Sequence, residues 1–114
     1  MVGLDPDLLY VTSGLFPGVA PTYRGHEGFR RFWGDFRELW EEITVHVEDI
    51  VEGQPGHYAI LGRFEATGRN GIPVGRPVGM VFVVRDELVV EIHSHATWER
   101  ALDFAGVSAA RRPD

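Results

Sequence analysis

The stretch Tyr23-Arg24-Gly25-His26-Glu27-Gly28-Phe29-Arg30-Arg31-Phe32-Trp33 constrains the fold more than any other part of the chain. A turn leads straight into an amphipathic helix, predicted over residues 26–43. Phe29, Phe32, Trp33, Phe36, Leu39, Trp40 and Ile43 recur at helical spacing and form one continuous apolar stripe. Arg30, Arg31, Asp35, Arg37, Glu38, Glu41 and Glu42 occupy the other faces. Most of the chain beyond the helix reads as strands, over 44–51, 57–67, 74–85 and 88–97, with an earlier strand over 7–13. Gly68-Arg69-Asn70-Gly71 punctuates a hairpin, and Asn-Gly is a strong hairpin signal. Thr97 is placed to cap a short helix over 98–104. One long helix beside a run of strands must cover one face of a curved sheet. That makes a cup, and cups bind small molecules.

Composition narrows the partners. The 114 residues make one domain, and 44% hydrophobic content is enough for a core without staples. There is no cysteine, so disulfides, thiol nucleophiles and thiolate metal sites are excluded. The net charge is −6, and the adjacent basic pairs are Arg30-Arg31 and Arg111-Arg112. Clustered positive charge suited to nucleic-acid phosphates is lacking. No apolar run approaches membrane-spanning length, and the N-terminal residues show no signal peptide. A cytoplasmic location is the expectation, with no cofactor and no metal.

Several segments together resemble the SnoaL-like branch of the NTF2-like superfamily, the cone-shaped fold of ketosteroid isomerases and limonene epoxide hydrolases. They are Leu4-Asp5-Pro6-Asp7, Tyr23 to Gly28, Gly68 to Gly71, Val81-Phe82-Val83-Val84-Arg85-Asp86 and Ala101-Leu102-Asp103-Phe104-Ala105-Gly106. The resemblance covers residues 4–106 as one domain, with 107–114 as a tail. It implies an α+β cone: a strongly curved, mostly antiparallel sheet around one long helix. Members of that family begin with a helix or two ahead of the Asp-Pro-Asp strand, and this chain begins at the strand. In the isomerases that helix carries the oxyanion-hole tyrosine, which has no counterpart here.

Strand alternation sorts the side chains into two faces. On the last strand Val90, Ile92, Ser94 and Ala96 are expected inside. Val89, Glu91, His93 and His95 are expected on the outer face, where similar proteins often form a homodimer. A hairpin centred near Asn70 sets Glu65 opposite Arg76. By the resemblance, the inner face carries Leu61, Arg63, Glu65, Arg76, Val78, Met80 and Phe82. The first strand adds Tyr10 and Thr12, and the helix adds Phe32, Trp33 and Phe36. The isomerases' general-base aspartate falls on Thr12 and their second acid near Met80. The epoxide hydrolases' water-holding tyrosine and asparagine fall on Tyr10 and Thr12, and their Asp-Arg-Asp relay on Leu61, Arg63 and Ser94. Neither constellation is complete.

What remains is a polar cluster of Tyr10, Thr12, Arg63, Glu65, Arg76 and Ser94 in an apolar cup. Glu65 reads either as a general base or as a cross-strand ion pair. Arg63 and Arg76 read either as anchors for a carboxylate or enolate, or as the partners of Glu65. His93 and His95, at i and i+2, read as a chelating pair or as interface residues. The functional expectation is a pocket for a hydrophobic carbonyl-bearing molecule, with or without acid/base catalysis. The alternative is a binding or assembly domain without turnover.

Overall fold

In a computed structural model, residues 3–12 and 19–112 are described. The chain runs β1 (Gly3–Val11), β2 (Thr22–Arg24), α1 (Gly25–Glu38), β3 (Trp40–Glu52), β4 (His57–Gly68), β5 (Pro73–Arg85), β6 (Leu88–His95) and α2 (Trp98–Ala105), then a 3-10 turn at Ala109–Arg111. The Gly/Pro-rich loop expected at residues 13–21 lies largely outside the described residues.

The six strands form one sheet in the order β2-β1-β6-β5-β4-β3. Neighbours run antiparallel except β1 and β6, which are parallel. The short strand β2 is an addition to the elements expected from pattern. It pairs Tyr23 with Tyr10 and so feeds α1 directly onto the sheet. Pro6 falls within the irregular stretch of β1 between Leu4 and Leu9. A residue without an N–H is tolerated there because the ladder is already broken.

α1 is shorter than its apolar stripe. It ends at Glu38, and Trp40 and Ile43 belong to β3 while still packing on the same core. The β-branched run beyond them favours an extended chain. Arg69, from the β4–β5 turn, donates to the carbonyls of Glu38 and Arg37 and so satisfies the end of the helix.

The two sides of the sheet are covered by different helices. α1 lies on the inner side, where Leu8, Tyr10, Phe32, Phe36, Phe64 and Ile92 are buried together. α2 lies on the outer side, where Ala101, Leu102 and Ala105 pack on Ala59, Leu61, Val81 and Val83. Thr97 caps α2 as expected, its hydroxyl accepting from the Arg100 N–H, and Gly106 closes it with a φ of 78°. Residues expected to be a loose tail fold back: Val107 is buried, and Arg112 binds Asp103 and the Val107 carbonyl. The β5–β6 turn is made by Asp86 and Glu87, with φ of 52° and 65°. No helix among the described residues is long and apolar enough to cross a membrane.

Candidate functional site

The inner face of the sheet is fixed by register. β4 and β5 pair Phe64 with Arg76, Gly62 with Val78 and Ile60 with Met80. β5 and β6 pair Met80 with Ser94 and Phe82 with Ile92. Ile92 in turn faces Tyr10 on β1. Arg76, Val78, Met80, Phe82, Ile92, Ser94 and Tyr10 therefore share the side that α1 covers.

The hairpin register corrects the expected polar cluster. Thr67 pairs with Pro73, so five residues separate the paired ends. Asn70-Gly71 is thus not a two-residue turn, and Glu65 pairs with Gly75 rather than Arg76. A shift of one residue sends every side chain of the strand to the other face. Leu61, Arg63 and Glu65 lie on the outer side. Leu61 is buried there against α2, while Arg63 and Glu65 are exposed. Glu65 sits 3.4 Å from His46, with both side chains more than half exposed. Glu65 and Arg63 therefore do not enter the cup. A shallow cleft of about 410 Å³ on that outer face, lined by Glu42, Thr44, Glu65 and Thr67, is its solvated surface.

A second irregularity changes β6. Val83 pairs with Glu91 but Val84 pairs with Val89, leaving Val90 as an extra residue. Val89 turns inward and is buried beside Leu8 and Ile92, so it is not on the outer face as expected. Glu91, His93 and His95 do face outward, but α2 covers them. The Phe104 ring lies 4.2 Å from His93 and 5.4 Å from His95. His93 Nε2 lies 2.8 Å from the Glu91 carboxylate and retains 12% side-chain exposure. α2 thus packs over this stretch of the outer face.

Inside, the polar groups are few. The Tyr10 hydroxyl and Ser94 Oγ are 3.1 Å apart and buried. The Tyr10 ring lies 4.5 Å from Phe32 and 5.6 Å from Phe29, two residues one turn apart on α1. Burial pushes the Tyr10 phenol above its ordinary range, partly offset by the Ser94 hydrogen bond. It is therefore a neutral hydroxyl at physiological pH. Thr12 is buried, with its hydroxyl donating to the Ala20 carbonyl. Tyr23 donates to Asp35 at 2.7 Å and accepts from the Ala20 N–H, which clamps β2 to α1. Phe36 and Trp40 meet Phe64 at 5.7 and 5.2 Å and close the end of the cup near the hairpin. Phe64 and Tyr23 join the lining without having been expected there. Plain alternation through Phe64 and Ala66 would have marked the first of them.

A one-sided helix on a curved mixed sheet, with an apolar inner face, is the NTF2-like architecture, and solved structures confirm it. An NTF2-like protein of unknown function from Burkholderia pseudomallei is 19% identical over 89% of this chain and 78% of its own, with a TM-score of 0.75. TerC, co-crystallised with polyporic acid, is 18% identical over 90% and 80%, with a TM-score of 0.74. A protein with a ketosteroid isomerase-like fold from Catenulispora acidiphila, in complex with trimethylamine, is 16% identical over 96% and 82%, with a TM-score of 0.71. Residues 4–92 match the SnoaL-like domain, and the chain belongs to that family. Among curated proteins none matches the sequence.

Proposed function

We propose that this protein binds a flat, hydrophobic small molecule carrying a carbonyl or hydroxyl oxygen, held between α1 and the inner face of the sheet. The observation that carries this reading is the buried Tyr10–Ser94 hydroxyl pair, set among aromatic rings. Two hydroxyls that satisfy each other can open to take a ligand oxygen, one donating and one accepting. Phe32, Trp33 and Phe36 supply the helical wall, and Val78, Met80, Phe82 and Ile92 the floor. Arg76, on the same face beside Phe64, suits an anionic or enolic oxygen at the rim. TerC, similar in fold, was crystallised with polyporic acid, which supports a small-molecule cup.

Binding without turnover fits this geometry better than acid/base catalysis. Among the described strand residues, those paired with Tyr10 and Ser94 beneath α1 are Tyr23, Ile92 and Met80, and the Asp35 carboxylate of α1 is taken up by the Tyr23 hydroxyl. A neutral phenol can stabilise an oxyanion, but proton abstraction near pH 7 needs a base of suitable pKa within reach. The experiment is a titration with polycyclic ketones and quinones, followed through Trp33 emission. Tyr10→Phe should weaken binding by about tenfold, the value of one lost hydrogen bond in a dry site. Glu65→Gln should leave it unchanged. Equal affinity for wild type and Tyr10→Phe would remove the hydroxyl pair from the site.

A further inference from the structure

α2 is a light cover on the outer side of the sheet. It spans β4, β5 and β6, and its buried residues are Ala101, Leu102 and Ala105. Alanine buries little apolar area, so these contacts hold the helix weakly for its length. Polar ties pin both ends. The Trp98 Nε1–H donates to the Gly62 carbonyl at 2.9 Å, and the Gln54 N–H donates to the Ala105 carbonyl at 2.8 Å. A short helix held in this way can open locally while the strands beneath it stay paired.

One group beneath α2 responds to acid. The His95 ring lies against Phe104, and its Nε2 is shielded with no hydrogen-bond partner among the described residues. An imidazolium carries an N–H on both nitrogens. Protonation would therefore set a charged donor at a closed point with nothing to accept from it. The surrounding groups do not relieve this. On β6, His93 shares the face, and the Glu91 carboxylate is already 2.8 Å from its Nε2. On α2, Arg100 adds positive charge, Asp103 is bound by Arg112, and Glu99 is exposed. The facing strands carry no charge there. β5 sets Gly79 opposite His95 and Val81 opposite His93, and β1 sets Val11 beside His93.

We propose that α2 is an acid-released latch: protonation of His95 frees α2 and the tail docked on it, while the sheet and α1 stay folded. The freed helix uncovers Ala59, Leu61, Val81 and Val83 on the outer side. The sign follows from linkage. Burial holds the docked imidazole below the ordinary 6.5, so the released form binds the proton first as pH falls. Docking is therefore undisturbed above about 6.5 and is progressively lost below it. The latch does not depend on the ligand reading.

Hydrogen–deuterium exchange tests this, with rates corrected for the intrinsic effect of pH. Between about pH 7.5 and pH 5.5, amides from Ala101 to Val107 should lose protection several-fold in the wild type. The limit is about tenfold, set by one ordinary imidazole in the released form. Amides of β4 and β5 should keep their protection. His95→Phe keeps a ring against Phe104 and takes no proton, so it should remove the pH response of α2. His95→Leu should do the same without a ring. Equal losses in α2 and the sheet would overturn the proposal, because acid would then act on the whole fold. A response that persists in both variants would place the sensor elsewhere and overturn it too. So would wild-type α2 protection that stays constant across the range.

Discussion

His95 shows how a single side chain can tie the fold to pH. Its Nε2 is shielded and has no hydrogen-bond partner among the described residues, and its ring lies under Phe104 of α2. Burial, then the neighbouring His93 and Arg100, hold its pKa below the ordinary 6.5. The unfolded chain therefore binds a proton first as pH falls. His95 contributes no penalty above about 6.5, and stability is lost as pH drops from there toward the lower folded value. Melting temperatures recorded between about pH 7 and pH 5 should fall more steeply for wild type than for His95→Phe, which keeps an aromatic ring against Phe104. Parallel slopes would mean that His95 does not titrate within that window. Tyr10 differs in kind. Its raised pKa lies on the alkaline side, so near neutrality it acts through its O–H and carries no charge.

At the scale of elements, the close approach of α2 to the sheet depends on Gly79. A Cβ at that position would stand 2.6 Å from the Ala101 Cβ. Gly79→Val should lift α2 and cost roughly 1–3 kcal/mol in urea unfolding, with Gly79→Ala at the low end. A neutral Gly79→Val would mean that α2 docks more loosely than its buried alanines indicate. The elements themselves were largely legible in the sequence. The stripe from Phe29 to Phe36 sets α1, alternation sets β3 to β6, and Thr97 sets α2. The SnoaL-like resemblance was carried by turns and strand ends, which is why it marked the fold well. Legibility failed where a count of one decides. The β4–β5 turn holds five residues between its paired ends where an Asn-Gly hairpin holds two, and that odd difference moved Glu65 and Arg63 out of the cup. The extra residue Val90 exchanged the faces of Val89 and Val90. No pattern in the sequence marks a bulge, because it is set by how neighbouring strands meet. Tyr10, Ser94 and the apolar floor came out on the right face, because β1, β5 and the end of β6 alternate without interruption there. β2 escaped notice because three residues carry too little pattern.

For the whole molecule, the arrangement is lopsided. One face of the sheet is dressed along β4 to β6 by α2, while the other is dressed on the β1–β2 side by α1. The opposite edge strand, β3, is left with its apolar residues in water. The sheet has another unevenness, in its tightest turn. Asp86 and Glu87 both hold left-handed backbone conformations, which side chains other than glycine and asparagine resist. Asn-Gly in their place should raise global stability by about 1 kcal/mol in urea unfolding, since the turn then asks for what those residues prefer. No gain would show that neighbouring contacts already compensate for the strain. This turn joins the two strands that carry Met80 and Ser94, yet it stands at the end of the sheet far from both. It is therefore a place where an engineer can add stability in reserve before altering the lining of the cup. Changes to the lining that cost stability could then be tried without losing the fold.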